Sequence, residues 1–254
     1  MFEFTFSFAD IRPIILVGLG TQIIDGALGM AFGVLSQTML VSLIGKPPAA
    51  ASATTHLVEM FTTGASGASH IWHRNVDLGL FRRLVPFGVV GGVLGAYALT
   101  SIDSAAQPFV MIYLTGVGLY LLVKAIHMSK PRFEDLRMTR PLAIVGGFLD
   151  AAGGGGWGPA VTSNLLIQGG DPAKVVGTVN TVEFLLAFAI SEPFIATLGV
   201  AAFGAAAIGM ISGGVIVVPF GARLAKHVPP RALLFAVSMV LIATSVFSTV
   251  RALL

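Results

Sequence analysis

Two apolar stretches of this chain are each broken near the middle by glycines that follow an aspartate. Residues 150–159 read DAAGGGGWGP, with Thr162, Ser163 and Asn164 close behind and GTVNTVE at 177–183. Residues 25–33 read DGALGMAFG, followed by Ser36, Gln37 and Thr38 and by ATTHLVE at 53–59. Asp25 aligns with Asp150 and Gly33 with Gly158. After one residue of slip, Thr54 aligns with Thr178, His56 with Asn180 and Glu59 with Glu183. As a single helix the run 11–44 would be about 50 Å long, against roughly 30 Å for a bilayer's hydrocarbon core. The glycines therefore divide it, giving segments at about 11–24 and 30–44.

Composition places these stretches in a membrane. The chain is 55% hydrophobic and 11% charged, where soluble domains average roughly 25% charged. Its charges collect between apolar runs long enough to span a bilayer. The absence of cysteine excludes disulfides and thiolate chemistry. A net charge of +3, carried at helix ends, reads as an orientation signal and leaves no nucleic-acid footprint. Residues 1–10 carry Glu3 and Asp10 without a basic start, so no cleavable signal peptide is expected.

The pattern predicts an all-α polytopic membrane protein made of two inverted repeats. Each repeat has a broken or re-entrant Gly-rich helical unit followed by three transmembrane helices. Residues 1–128 form the first repeat, 129–140 a basic cytoplasmic linker, and 141–254 the second. Spans are expected at about 49–72, 84–101 and 107–124, then at 173–190, within 194–222 and at 231–251. Ser191, Glu192 and Pro193 read as a turn. The basic segments around Arg74, Arg82 and Arg83, around Arg132 and Arg137, and around Arg223 and Lys226 should face the cytoplasm. Only a unit that enters and returns at 11–44 and at 141–168 reconciles these charges. Broken helices in inverted repeats are a transporter plan, with the site near the midplane.

Irregular backbone is tolerated at membrane depth only where it is buried in protein or lines a wet cavity. Helix ends at the two breaks present N–H groups that suit an anion. Candidate binding residues are Gly29, Gly33 and Gln37, then Thr54, Thr55, His56 and Glu59. The second half adds Gly153, Gly154, Gly155, Gly156, Trp157 and Gly158, with Ser163, Asn164, Thr178, Asn180 and Glu183. Ionisable groups in apolar segments are functional candidates by default, and His56, Glu59 and Glu183 are the proton-coupling candidates. The glycines at 88–95 read as a helix-packing stripe. His70, His73 and Asp77 are too loosely spaced to specify a metal, and no cofactor motif is present.

The DAAGGGGWGP break and the GTVNTVE helix, each with a weaker counterpart in the first half, resemble the sulfite exporter TauE/SafE family of membrane transporters. The resemblance covers essentially the whole chain, although its first break is less glycine-dense. It implies transport of small sulfur-containing anions, such as sulfite or organosulfonates, across the bacterial cytoplasmic membrane. It also implies a central site lined by residues 153–158, Thr178, Asn180 and Glu183 with Thr54, His56 and Glu59. The expected partners are the small anion and the lipid bilayer, with the protein a monomer or homodimer. Two other readings stay open: a cation or metal transporter using Asp25, Glu59, Asp150 and Glu183, and an intramembrane enzyme built on His56 and Glu59. For an enzyme the sequence supplies no nucleophile or metal set, so no catalytic residue is assigned.

Overall fold

The computed structural model describes residues 8–28, 30–102, 107–127, 136, 138–199, 204–224 and 230–253. Gly29, the turns at 103–106 and 225–229 and most of the linker expected at 129–140 lie outside the described residues. Among the described residues the secondary structure is helical throughout. The first half contains α1 (Phe8–Leu28), α2 (Phe32–Ser42), α3 (Pro48–Trp72), α4 (Leu78–Ile102) and α5 (Gln107–Ile126). The second contains α6 (Thr139–Gly153), a π turn (Trp157–Thr162) running into the short α7 (Ser163–Ile167), then α8 (Pro172–Leu198), α9 (Gly204–Leu224) and α10 (Pro230–Leu253).

Local chemistry sets several of these ends. Pro172 opens α8, where its missing N–H costs nothing, and the Asp171 side chain accepts from the Lys174 N–H at 2.9 Å. Asp77 does the same for α4, accepting from Gly79 N at 2.8 Å and Leu80 N at 3.0 Å.

Two boundaries differ from the sequence expectation. Helix α1 runs past Asp25 to Leu28, so the first break comes later than residue 25. Helix α8 continues through Ser191, Glu192 and Pro193 to Leu198. Pro193 deletes one helical donor, but Phe194 just beyond it is fully buried, and that packing holds the next turn in place. The Ser191 hydroxyl turns back onto the Ala187 carbonyl at 2.7 Å rather than opening a turn.

The outer surface is apolar. Phe109, Phe188 and Ile216 are more than 60% exposed, an arrangement suited to lipid rather than water. Among the described residues, Leu78–Ile102, Pro108–Ile126 and Ala173–Leu198 are long and apolar enough to cross a membrane.

Glycines let the helices approach closely. Helix α6 lies on α4, and a methyl group added at Gly91 or Gly95 would overlap the carbonyl of Ile144 or Phe148. Helix α1 lies on α9 in the same manner, with Gly18 on the Met210 backbone and Gly213 on that of Ile15. The stripe at 88–95 is thus a crossing face. Helices α3 and α8 run antiparallel: Gly64 faces Phe184, Gly67 faces Thr181 and Gly177 faces Asn75. Helices α5 and α10 are antiparallel too, with Gly118 on Leu241 and Ile242 and the Arg231 guanidinium donating to the Ile126 carbonyl at 3.2 Å.

Crossing glycines and free glycines should respond oppositely to substitution. Gly91→Ala forces a methyl group into backbone and should cost about 1–3 kcal/mol. Gly116 has nothing within 4 Å of an added methyl, so Gly116→Ala should be neutral or gain up to about 1 kcal/mol from helix propensity. Thermal unfolding of the purified variants in detergent reads the difference.

Candidate functional site: the crossing of the two helix breaks

Each break is held by the aspartate that precedes it. Asp25 Oδ1 accepts from Ala31 N at 2.9 Å and Phe32 N at 3.1 Å. Asp150 Oδ1 accepts from Gly156 N at 2.8 Å and Trp157 N at 2.9 Å. In both cases one carboxylate oxygen reaches across the break to the first N–H groups of the following segment. A carboxylate there satisfies orphan donors and suits the positive end of the helix dipole. The anion expected at these helix ends is therefore supplied by the chain itself. This corrects the expectation that those N–H groups face a ligand.

The breaks touch one another. Gly33 packs on Gly155, whose Cα also lies against the Val34 backbone, and Gly158 packs on Met30. Gly154 and Gly155 adopt φ of +69° and +146°, a region open to glycine and strained for other residues. Gly154 is covered by the Gln37 side chain, and Gly153 and Gly156 by Tyr113. Tyr113 of α5 donates to the Gly155 carbonyl at 3.4 Å. Nothing in its sequence setting marked it.

Helix α3 supplies the charged chemistry. His56 and Glu59 lie on one face, with Nδ1 of His56 2.9 Å from Glu59 Oε2 and 3.9 Å from Asp150 Oδ2. The other ring nitrogen, Nε2, is 3.3 Å from the Asp150 carbonyl oxygen. A carbonyl only accepts, so Nε2 carries the proton of that bond, and Nδ1 is turned toward the two carboxylates. Phe194 of α8 stacks on the ring at 6.4 Å between centroids. His56, Glu59 and Asp150 are 2% exposed or less, and Nδ1, Oε2 and Oδ2 have no hydrogen-bond partner. Glu183 on α8 stands within electrostatic reach of Glu59, Asp150 and Asp25. No lysine or arginine occurs in α2, α3, the π turn or α7.

Neutral polar groups surround this centre. Gln37 donates to the Pro48 carbonyl at 3.1 Å, and Ser52 to the Ala151 carbonyl at 2.7 Å, tying α2 and α3 to their neighbours. Buried and without a partner are Ser36 Oγ, Gln37 Oε1, Thr55 Oγ1 and Thr162 Oγ1. Ser163 lies by the Met30 sulfur at 3.6 Å.

Other expected site residues serve the scaffold. Thr54 bonds its own helix at Ala50. The Thr178 hydroxyl accepts from the Asp77 N–H at 2.8 Å, fixing the α3–α4 turn. Asn180 reaches Ser66 at 3.4 Å. Trp157 is fully buried, wedged against Gly88 and Gly146, with its indole N–H on the Val179 carbonyl at 3.3 Å. It packs α4 to α6 rather than lining an open site. Asn164 bonds the Ala160 carbonyl and lines, with Tyr113, Tyr120 and Leu149, a cavity of about 390 Å³ outside the second break.

A family profile described as Sulfite exporter TauE/SafE matches residues 14–248. The chain belongs to this family. It is 40% identical over 224 residues to the "Probable membrane transporter protein YtnM" of Bacillus subtilis (strain 168), a match covering 85% of this chain and 74% of that protein. No solved structure matches. Family and relative identify the chain as a multi-pass membrane transporter, and the apolar outer surface agrees with that.

The aspartate bridges carry a direct test. Asp150→Ala leaves two buried N–H groups without an acceptor, at about 1–3 kcal/mol each. Asp150→Asn keeps one carbonyl oxygen for them and should lose less, and the same order should hold at Asp25. Equal unfolding temperatures for the Ala and Asn variants in detergent would remove the bridging role.

Proposed function

We propose that the protein is a secondary transporter that exports small sulfur-containing anions, sulfite or organosulfonates, across the bacterial cytoplasmic membrane. The observation that carries this reading is the crossing of two helix breaks beside buried, unpartnered hydroxyl and amide groups, in a chain whose family is described as a sulfite exporter. Neutral donors bind a small oxyanion without trapping it. The side chains best placed for this are the hydroxyls of Ser36, Thr55, Thr162 and Ser163, and the backbone N–H groups given to Asp25 and Asp150 take no part. The inside-negative potential favours outward movement of a monovalent anion by about 2.3 kcal/mol per 100 mV.

The architecture we propose is an inverted repeat, with α1 to α5 matching α6 to α10. Three observations support it. Matching helices pair antiparallel, α3 with α8 and α5 with α10. The contact of α1 with α9 has its counterpart in that of α6 with α4. Gly33 on Gly155 likewise has its counterpart in Gly158 on Met30. In such a protein the halves rock about the crossing to alternate access. The basic turns then face the cytoplasm.

A second reading, a cation transporter, is favoured by the convergence of His56, Glu59 and Asp150 with Glu183 nearby. Flux assays separate the two. Inverted vesicles containing the protein should accumulate radiolabelled sulfite or a short-chain sulfonate several-fold above empty vesicles. Repeating the assay with and without an imposed pH gradient reads proton coupling directly. Competent vesicles that move a divalent cation and none of a broad anion panel would overturn the anion reading.

A further inference from the structure

The anion reading leaves an electrostatic problem at the centre of the bundle. Carboxyl groups meet there, α2, α3, the π turn and α7 supply no lysine or arginine, and an incoming anion would be repelled by any that are ionised. A buried carboxylate keeps its charge when it is paired or holds a cation, and otherwise takes up a proton. The geometry points to a bound cation: we propose that His56 Nδ1, Glu59 Oε2 and Asp150 Oδ2 form a site for a divalent metal ion of the Zn²⁺ or Co²⁺ class.

Four observations carry the assignment. The three donor atoms lie within 4.8 Å of one another, a spread that one ion with bonds of about 2.0–2.2 Å gathers after small side-chain shifts. All three are buried and have no hydrogen-bond partner. His56 Nδ1 and Glu59 Oε2 are 2.9 Å apart, so a divalent ion bound between them takes the place of any proton the pair shares. Two of the donors are also oriented by a second contact. His56 is held through Nε2 at the Asp150 carbonyl, the outer-shell bond typical of ligating histidines. Asp150 is held through Oδ1 at two backbone N–H groups, which leaves Oδ2 to point inward.

Donor type selects the metal. An imidazole with two carboxylates suits a borderline ion such as Zn²⁺ better than Na⁺ or Mg²⁺, which prefer oxygen donors throughout. A divalent charge also cancels the two carboxylates. Three protein ligands leave a four-coordinate ion one open position, and a sulfur oxyanion is a ligand for it. Only this last step rests on the anion reading.

Tag-free protein in detergent, stripped with chelator, is loaded with Co²⁺ or Zn²⁺ and desalted. Metal is then counted by mass spectrometry and, for Co²⁺, by its visible absorption. The expected result is one ion per chain in the wild type, with retention reduced at least tenfold in Glu59→Gln and in His56→Asn. The His70→Asn/His73→Asn double variant, which removes histidines at the exposed turn, should bind as the wild type does. Because Glu59→Gln is isosteric, it carries the test if His56→Asn does not fold. A folded wild type that retains no metal overturns the site, as does retention unchanged in Glu59→Gln. Sulfite added to the Co²⁺ form should shift the absorption. An unshifted band with the ion bound overturns the anion's place on the metal. Vesicle flux, measured separately, decides the transport reading.

Discussion

The structure depends on one interaction used twice: an aspartate carboxylate that bridges its own helix break. A helix interrupted inside a membrane exposes backbone donors that no water can satisfy, at a cost of several kcal/mol each. Asp25 and Asp150 meet that demand by accepting from the N–H groups six and seven residues ahead. With two donors at each break satisfied internally, each break can lie against the other instead of facing solvent. The glycines then do what only glycine allows, bringing Gly33 onto Gly155 and Met30 onto Gly158. The close crossing follows from the bridges, and the gathering of polar side chains around it follows from the crossing.

That solution fixes the electrostatics. A carboxyl group buried at each break is the cost of capping it, and Glu59 and Glu183 bring further acids to the same region. Within α3, His56 is the sole basic partner on the face that meets Asp150, and it reaches two of these acids at once. A transporter for anions must neutralise such a centre before substrate enters. The balance of charge at His56, Glu59 and Asp150 therefore bears on function more than any single hydroxyl around them.

Much of this was legible in the sequence because it is carried by spacing. The two DG/DAAG breaks, the small-residue stripe at 88–95 and the THLVE and TVNTVE helices are local patterns, and the helices form close to where the apolar periodicity puts them. What escaped is what depends on partners distant in sequence. Ser191 to Pro193 looks like a turn, since proline and serine favour one locally, yet burial of Phe194 carries α8 through it. Thr178 and Trp157 looked like ligand contacts by position. In the fold they join the α3–α4 turn and the α4–α6 crossing, contacts that no local pattern encodes. Asp150 was visible as the counterpart of Asp25, but its contact with His56 bridges 94 residues and exists only once the breaks are crossed.

On the inverted reading, scaffold and chemistry obey different symmetries. The crossing contacts come in matched pairs, and so do the aspartate bridges. The charged centre does not: His56 turns to Asp150, whereas its counterpart Asn180 turns to Ser66 at the interface of α3 and α8. Two equal halves would give inward-open and outward-open states of equal energy, with nothing in the protein to favour either. A single histidine–carboxylate cluster breaks that tie, because whatever it binds interacts differently with the two arrangements.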